Sequence, residues 1–150
     1  VISVPDAVRV RVGSLGVKEF KSGLYAYVGS AMGGVEQRVA RHASGKKKRH
    51  WHIDYLLSRG RLLSAVAFPA DRKTAECGAL RAIAGIPGAS VPVAGFGSSD
   101  CRCPAHLVYF GDADPEWVAE SVAMAIAMLG SAYPRVRGRP RRCRPGDRAT

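Results

Sequence analysis

Apolar and polar residues first alternate at Val8 to Val12, where three valines are separated by two arginines. A period of two belongs to a strand with one face buried and the other wet. Gly13 and Gly16 bracket a turn, and Leu24 to Val28, rich in aromatic and branched side chains, reads as the antiparallel return strand. Gly29-Ser30 ends it, and Gly33-Gly34 turns the chain into a helical pattern from Gly34 to His42. Val35 and Val39 supply that helix's inward face, while Arg38 and His42, four apart, project from one side with Arg41 close by. A second helical segment spans Trp51 to Ser58 and carries Tyr55, Leu56 and Leu57.

Leu62 to Phe68 is apolar enough for a central strand. A third helix covers Arg72 to Ala84, and its stripe of Leu80 and Ile83 runs back by helical spacing to Glu76. A carboxylate on an inward stripe needs a cation, a proton or solvent, because burying it alone is costly. Ile86 to Pro92 is a Pro/Gly connector, Gly95 to Asp100 a Gly/Ser loop, and His106 to Phe110 a short strand. Asp114-Pro115-Glu116 starts a last helix, with Val118, Val122, Ile126 and Leu129 as its buried stripe. These periodicities predict a mixed α/β domain over residues 1–133. Residues 134–150 lack apolar periodicity and are expected to form a disordered Arg/Pro-rich tail.

Charge changes the picture. The 150 residues carry a net +11, and although seven arginines sit after Tyr133 the body is basic without them. Clustered positive charge favours a polyanionic partner. The run Lys46, Lys47, Lys48 and Arg49 leads into His50, Trp51, His52, Asp54 and Tyr55, a density of polar and aromatic groups that a packed core does not need. With Arg41, the cations and His50 and His52 are candidate phosphate contacts; the histidines and Asp54 are also candidate metal ligands. The alternative for this stretch is a solvated basic loop followed by a helix with Trp51 and Tyr55 in the core.

Four cysteines without a signal peptide read as free thiols, because Cys101 and Cys103 are too close to bridge comfortably. The apolar stretch from Trp117 to Leu129 is too short to cross a bilayer, so the expected location is cytoplasmic, with no membrane partner. Cys101, Cys103 and His106 suggest zinc, with Cys77, His50 or His52 as a fourth ligand. The spacing C-x-C-x2-H is not that of a standard finger, and free cysteines beside a strand are the other reading.

Tyr27-Val28-Gly29, the glycine turn, and the helix with Arg38 and His42 resemble the second half of a GIY-YIG nuclease motif. The fuller strings YVGSA, RVARH, KKxRHWHIDYLL, ECGAL and GFGSSDCRCPAHLVYF resemble a small prokaryotic GIY-YIG-like family catalogued as a domain of unknown function. Some of its members are fused to endonuclease-III-type DNA repair enzymes. The resemblance covers Val1 to Phe110 and implies a small, mainly antiparallel three-stranded sheet flanked by helices, to which the C-terminal helix is added. It further implies a Mg²⁺- or Mn²⁺-dependent DNA endonuclease acting in repair or processing. Glu76 would hold the metal, Arg38 the scissile phosphate and Tyr27 the attacking water, with His42 assisting in proton transfer or phosphate contact. DNA is the implied substrate, RNA not being excluded, and an endonuclease-III-type enzyme the implied partner.

The family's first Gly-x-Tyr tripeptide is missing at the start of the first strand. Gly23-Leu24-Tyr25 imitates its letters one residue before Tyr27. A start upstream of Val1 is one explanation and a diverged site the other. The chain contains no Asn, which the superfamily often uses late in the fold; Asp100 is the candidate replacement. Two further functions stay open: a nucleic-acid-binding module without catalysis, and a zinc-stabilised interaction domain.

Overall fold

A computed structural model of the chain describes residues 1–45, 48–69 and 74–132. Its strands are β1 (Ile2–Val4), β2 (Val8–Arg11), β3 (Val17–Phe20), β4 (Gly23–Tyr27), β5 (Arg61–Leu62) and β6 (Leu107–Gly111). The helices are α1 (Val35–Ala43), α2 (His52–Leu57), α3 (Thr74–Ala84) and α4 (Pro115–Ala132). The α+β class expected from the periodicities is what the chain adopts. The main sheet has four strands, not three, in the order β5-β1-β4-β6, and every pair is antiparallel.

The valine-arginine strand pairs differently from the expectation. Its return is β3, with Val8 opposite Phe20 and Val10 opposite Lys18. Gly13 and Gly16 adopt positive φ on either side of a single 3-10 turn, so the chain reverses within a few residues. The two strands form a separate hairpin, while β4 pairs with β1 through Ile2 opposite Tyr25. Charged Lys18 and Glu19 mask the pattern of β3, whose Phe20 alone is buried.

Leu62 to Phe68 is not a central strand. Only Arg61 and Leu62 pair, at the sheet's edge against β1. Leu63 and Val66 are exposed, and residues 64–69 line a cleft. Their apolar character serves that wall rather than a sheet interior.

The alternation of β4 divides the core. Leu24, Ala26 and Val28 face α3 and α4, where they pack with Leu80, Ile83, Val108, Val118, Val122 and Ile126. Tyr25 and Tyr27 face the other way, toward Phe20, Ile53, Leu56 and Phe96. Burying a side chain of Leu or Phe size stabilises by about 1.5–3 kcal/mol, and both faces contain several, so the sheet is held from both sides. Asp114 accepts a 2.8 Å hydrogen bond from the Trp117 N–H and caps α4. α1 buries no residue fully, and Val35 is exposed, so this helix overlies the cleft instead of pressing a valine face into the core. No described helix is long and apolar enough to cross a membrane. The expected tail, like Lys46 and Lys47, lies outside the described residues.

Candidate functional site

Between α1, the end of β4, residues 64–69 and α3 opens a cleft of about 590 Å³. Its walls are largely apolar, and its polar groups gather on one side. Tyr27 comes from the last position of β4, Arg38 and His42 from successive turns of α1, and Glu76 from the first turn of α3. Three elements far apart in sequence thus bring four chemically competent side chains to one surface.

Arg38 is held by neutral groups. Its guanidinium lies beside the Tyr27 phenol and 4.8 Å from the centre of the Trp51 ring. Trp51 is exposed, not in the core as the solvated-loop alternative has it, and it serves as a flat support for the cation. Arg38 has no carboxylate at ion-pairing distance among the described residues, so it is not the cation that a carboxylate at Glu76 calls for. Burial raises the Tyr27 phenol above its ordinary value; the neighbouring Arg38 charge opposes this, while Glu76 and Asp54 reinforce it. Tyr27 is therefore protonated at neutral pH.

Arg41 has a different setting. Both carboxylate oxygens of buried Asp54 accept from it, at 3.0 and 3.2 Å, and the Lys48 carbonyl accepts at 2.9 Å. The His50 and Trp51 N–H groups also donate to Asp54, at 2.9 and 3.0 Å. Asp54 thus caps α2 and ties it to α1, which removes it as a candidate metal or DNA ligand. His42 approaches the same carboxylate, Nδ1 to Oδ1 at 3.8 Å, and its ring meets Tyr27 edge-on with centroids 6.4 Å apart.

The remaining basic candidates lie outside the cleft. Lys48 and Arg49 are exposed, with Arg49 5.7 Å from the Tyr55 ring centre. His50 is exposed and packs its ring on Trp51. His52 turns inward, where its Nδ1 accepts a 2.9 Å hydrogen bond from the Gly97 N–H and burial lowers its pKa. Asp100 is exposed and does not line the cleft.

Gly97 matters for a second reason. It has φ +75, and a Cβ there would lie 3.0 Å from Tyr27 Cε2 and 3.2 Å from His106 Cβ. Only glycine lets the Gly95 to Asp100 loop reach that conformation and press this close to Tyr27. Behind the loop, Cys77, Cys101, Cys103 and His106 bring their ligand atoms within 4.8 Å of one another. Such a cluster can hold a metal ion, and its sulfur donors suit zinc better than magnesium. The fourth residue is Cys77 rather than His50 or His52. Crowding raises the Cys103 thiol to about 12, through its hydrogen bond with the Cys77 side chain, then burial and Cys101.

No local pattern marks the Arg41–Asp54 knot, and spacing alone does not choose Cys77 over His50 or His52 as the partner of Cys101. Both are long-range. Trp51 beside Arg38 was visible only as part of an aromatic-basic cluster.

A family model described as domain of unknown function DUF123 matches residues 1–129. The chain belongs to this family. No curated protein and no solved structure matches it. The family match covers both the cleft and the Cys/His cluster, so the two lie within one family domain.

Proposed function

We propose that the protein is a nucleic-acid phosphodiesterase of the GIY-YIG type, a DNA endonuclease working in repair or processing. The observation that carries this reading is the convergence of Tyr27, Arg38, His42 and Glu76 on one cleft. Arg38 offers a planar fork of donors, already oriented by Tyr27 and Trp51 and not neutralised by a carboxylate, to a phosphate oxygen. Protonated Tyr27 orients a water by hydrogen bonding instead of abstracting its proton. His42, steadied beside Asp54, is the group placed to take up or return that proton.

Glu76 is the sole carboxylate lining the cleft among the described residues, and 22% of its side chain is exposed. A single accessible carboxylate fits Mg²⁺ or Mn²⁺, which keeps most of its waters and takes few protein ligands. Bound there, the ion supplies charge stabilisation at the phosphate. Zinc belongs instead to the separate thiolate cluster. Lys48, Arg49 and His50 extend the basic surface along which a nucleic-acid backbone would run, and an endonuclease-III-type enzyme is the partner this reading favours.

The test is nicking of supercoiled plasmid and cleavage of branched or nicked DNA with Mg²⁺ or Mn²⁺. Activity should disappear in both Glu76→Ala and Arg38→Ala, with DNA still bound by Glu76→Ala. A second reading, binding without cleavage, draws on the raised Tyr27 phenol and the lone carboxylate. It prevails if folded protein binds DNA with steep salt dependence yet never cuts it. Cutting that survives Glu76→Ala would overturn the proposed site.

A further inference from the structure

The Cys/His cluster and the cleft share a wall, and the contact between them is specific. Cys77 projects from α3, while Cys101, Cys103 and His106 come from the segment leading into β6. The two ring nitrogens of buried His106 look in opposite directions. Nε2 lies 3.3 Å from Cys101 Sγ, inside the cluster, and Nδ1 lies 3.7 Å from Glu76 Oε2, on the cleft side. Glu76 and Cys77 are adjacent on α3, so one turn of helix supplies both a thiol to the cluster and a carboxylate to the far side of its histidine.

We infer that Cys77, Cys101, Cys103 and His106 form a closed zinc centre and that Glu76 is the outer carboxylate of its histidine ligand, so that the ion positions Glu76 in the cleft. A tetrahedral ion with Zn–S of about 2.3 Å places its sulfur ligands roughly 3.8 Å apart. The observed separations, 3.3 Å for one pair and no more than 4.8 Å for any, need only small adjustments to reach that geometry. Three thiolates and an imidazole select zinc over hard cations such as magnesium. Four protein ligands leave no open position, so the centre is structural and activates no water. A ligating histidine ordinarily gives its second ring N–H to a carboxylate, which fixes the ring's tautomer and tilt. Glu76 stands where that acceptor is required.

The ligands also say what the ion joins. It links the first turn of α3 to the segment before β6, and these are the elements that carry Glu76 and frame Gly97 against Tyr27. Cys77, Cys101 and Cys103 are free thiols, so no disulfide already makes this link. The inference stands apart from cleavage: the centre exists or not whatever the cleft does.

Its test reads metal directly. Full-length protein purified under reducing conditions should contain about one zinc per chain by elemental analysis. Metal-stripped protein titrated with Co²⁺ should develop sulfur-to-metal charge-transfer absorption and the intense visible bands of a tetrahedral ion. This needs no variant to fold. Glu76→Gln should keep the tetrahedral spectrum and lose about 10–100-fold in zinc affinity against a chromogenic chelator. Cys103→Ser should weaken binding further and diminish the charge-transfer band. Absence of stoichiometric zinc together with a Co²⁺ spectrum lacking tetrahedral bands would overturn the centre. A disulfide found between Cys77 and either neighbour would do the same. Unchanged affinity in Glu76→Gln would remove the link to the cleft while leaving the ion in place.

Discussion

Arg38 and Arg41 stand three residues apart on α1, and their surroundings are opposite. Arg41 meets a buried aspartate with nearly ideal pairing, and that carboxylate also receives two backbone N–H groups. Arg38 rests on a tryptophan face and a phenol, with no anion at hand among the described residues. The first cation is neutralised inside the fold and holds α1 to α2. The second is oriented but meets no carboxylate among the described residues. An arginine's role is thus set by what lies beneath it more than by its place in a motif.

The sharpest way to break this contrast is to remove Asp54. Asp54→Ala leaves Arg41 without its counter-charge and orphans two N–H groups at the start of α2. The expected loss is about 3–5 kcal/mol, read from urea unfolding. A loss under about 1 kcal/mol would put Arg41 in the same class as an exposed surface pair. Arg38→Ala should behave in the opposite way. Unfolding free energy falls by only about 0.5–1 kcal/mol, the value of an exposed cation–π contact, whereas the proposed cleavage of DNA falls by about 10²–10³-fold. Arg38→Lys keeps the charge but not the fork, so it should not restore the rate.

Gly97→Ala tests the surface behind Tyr27. The positive φ and the close approach to Tyr27 and His106 predict a loss of about 1–3 kcal/mol, together with a change in tyrosine fluorescence or titration. A neutral outcome would mean that the loop moves away freely.

The smallest effect concerns His52. Burial lowers its pKa below 6.5, so the unfolded chain takes up a proton more readily than the native one. Its contribution is complete above pH 6.5 and is lost as pH falls toward the lowered value. Protonation also abolishes the acceptor that Gly97 uses. Stability of the wild type should therefore fall more steeply from pH 7 to 5 than that of His52→Ala. Parallel slopes would show that this ring does not titrate with folding.

Periodicity reveals what is local. The stripe of α4, its aspartate cap and the alternation of β2 follow from residues within one or two turns of each other. Pairing is less visible. Nothing within VKEF announces a strand, because half its positions are charged and its partner is defined by the glycine turn before it. The apolar run after Leu62 misleads for a related reason: a cleft wall and a central strand have the same composition. Arg38 and His42 share a face by simple spacing, but their meeting with Glu76 depends on how α3 docks across the sheet. The cysteines show the limit most clearly. Cys101 and Cys103 lie side by side in sequence, yet the cluster is complete only with Cys77, which helix packing delivers.

The strand order has a consequence for synthesis. β4 acquires β1 soon after both emerge, but its other edge remains open until Leu107–Gly111 has been made. At ordinary translation speeds that interval is roughly ten seconds. Through it the ribosome carries a nascent chain with an unpaired apolar edge, a surface suited to chaperones and vulnerable to neighbouring chains.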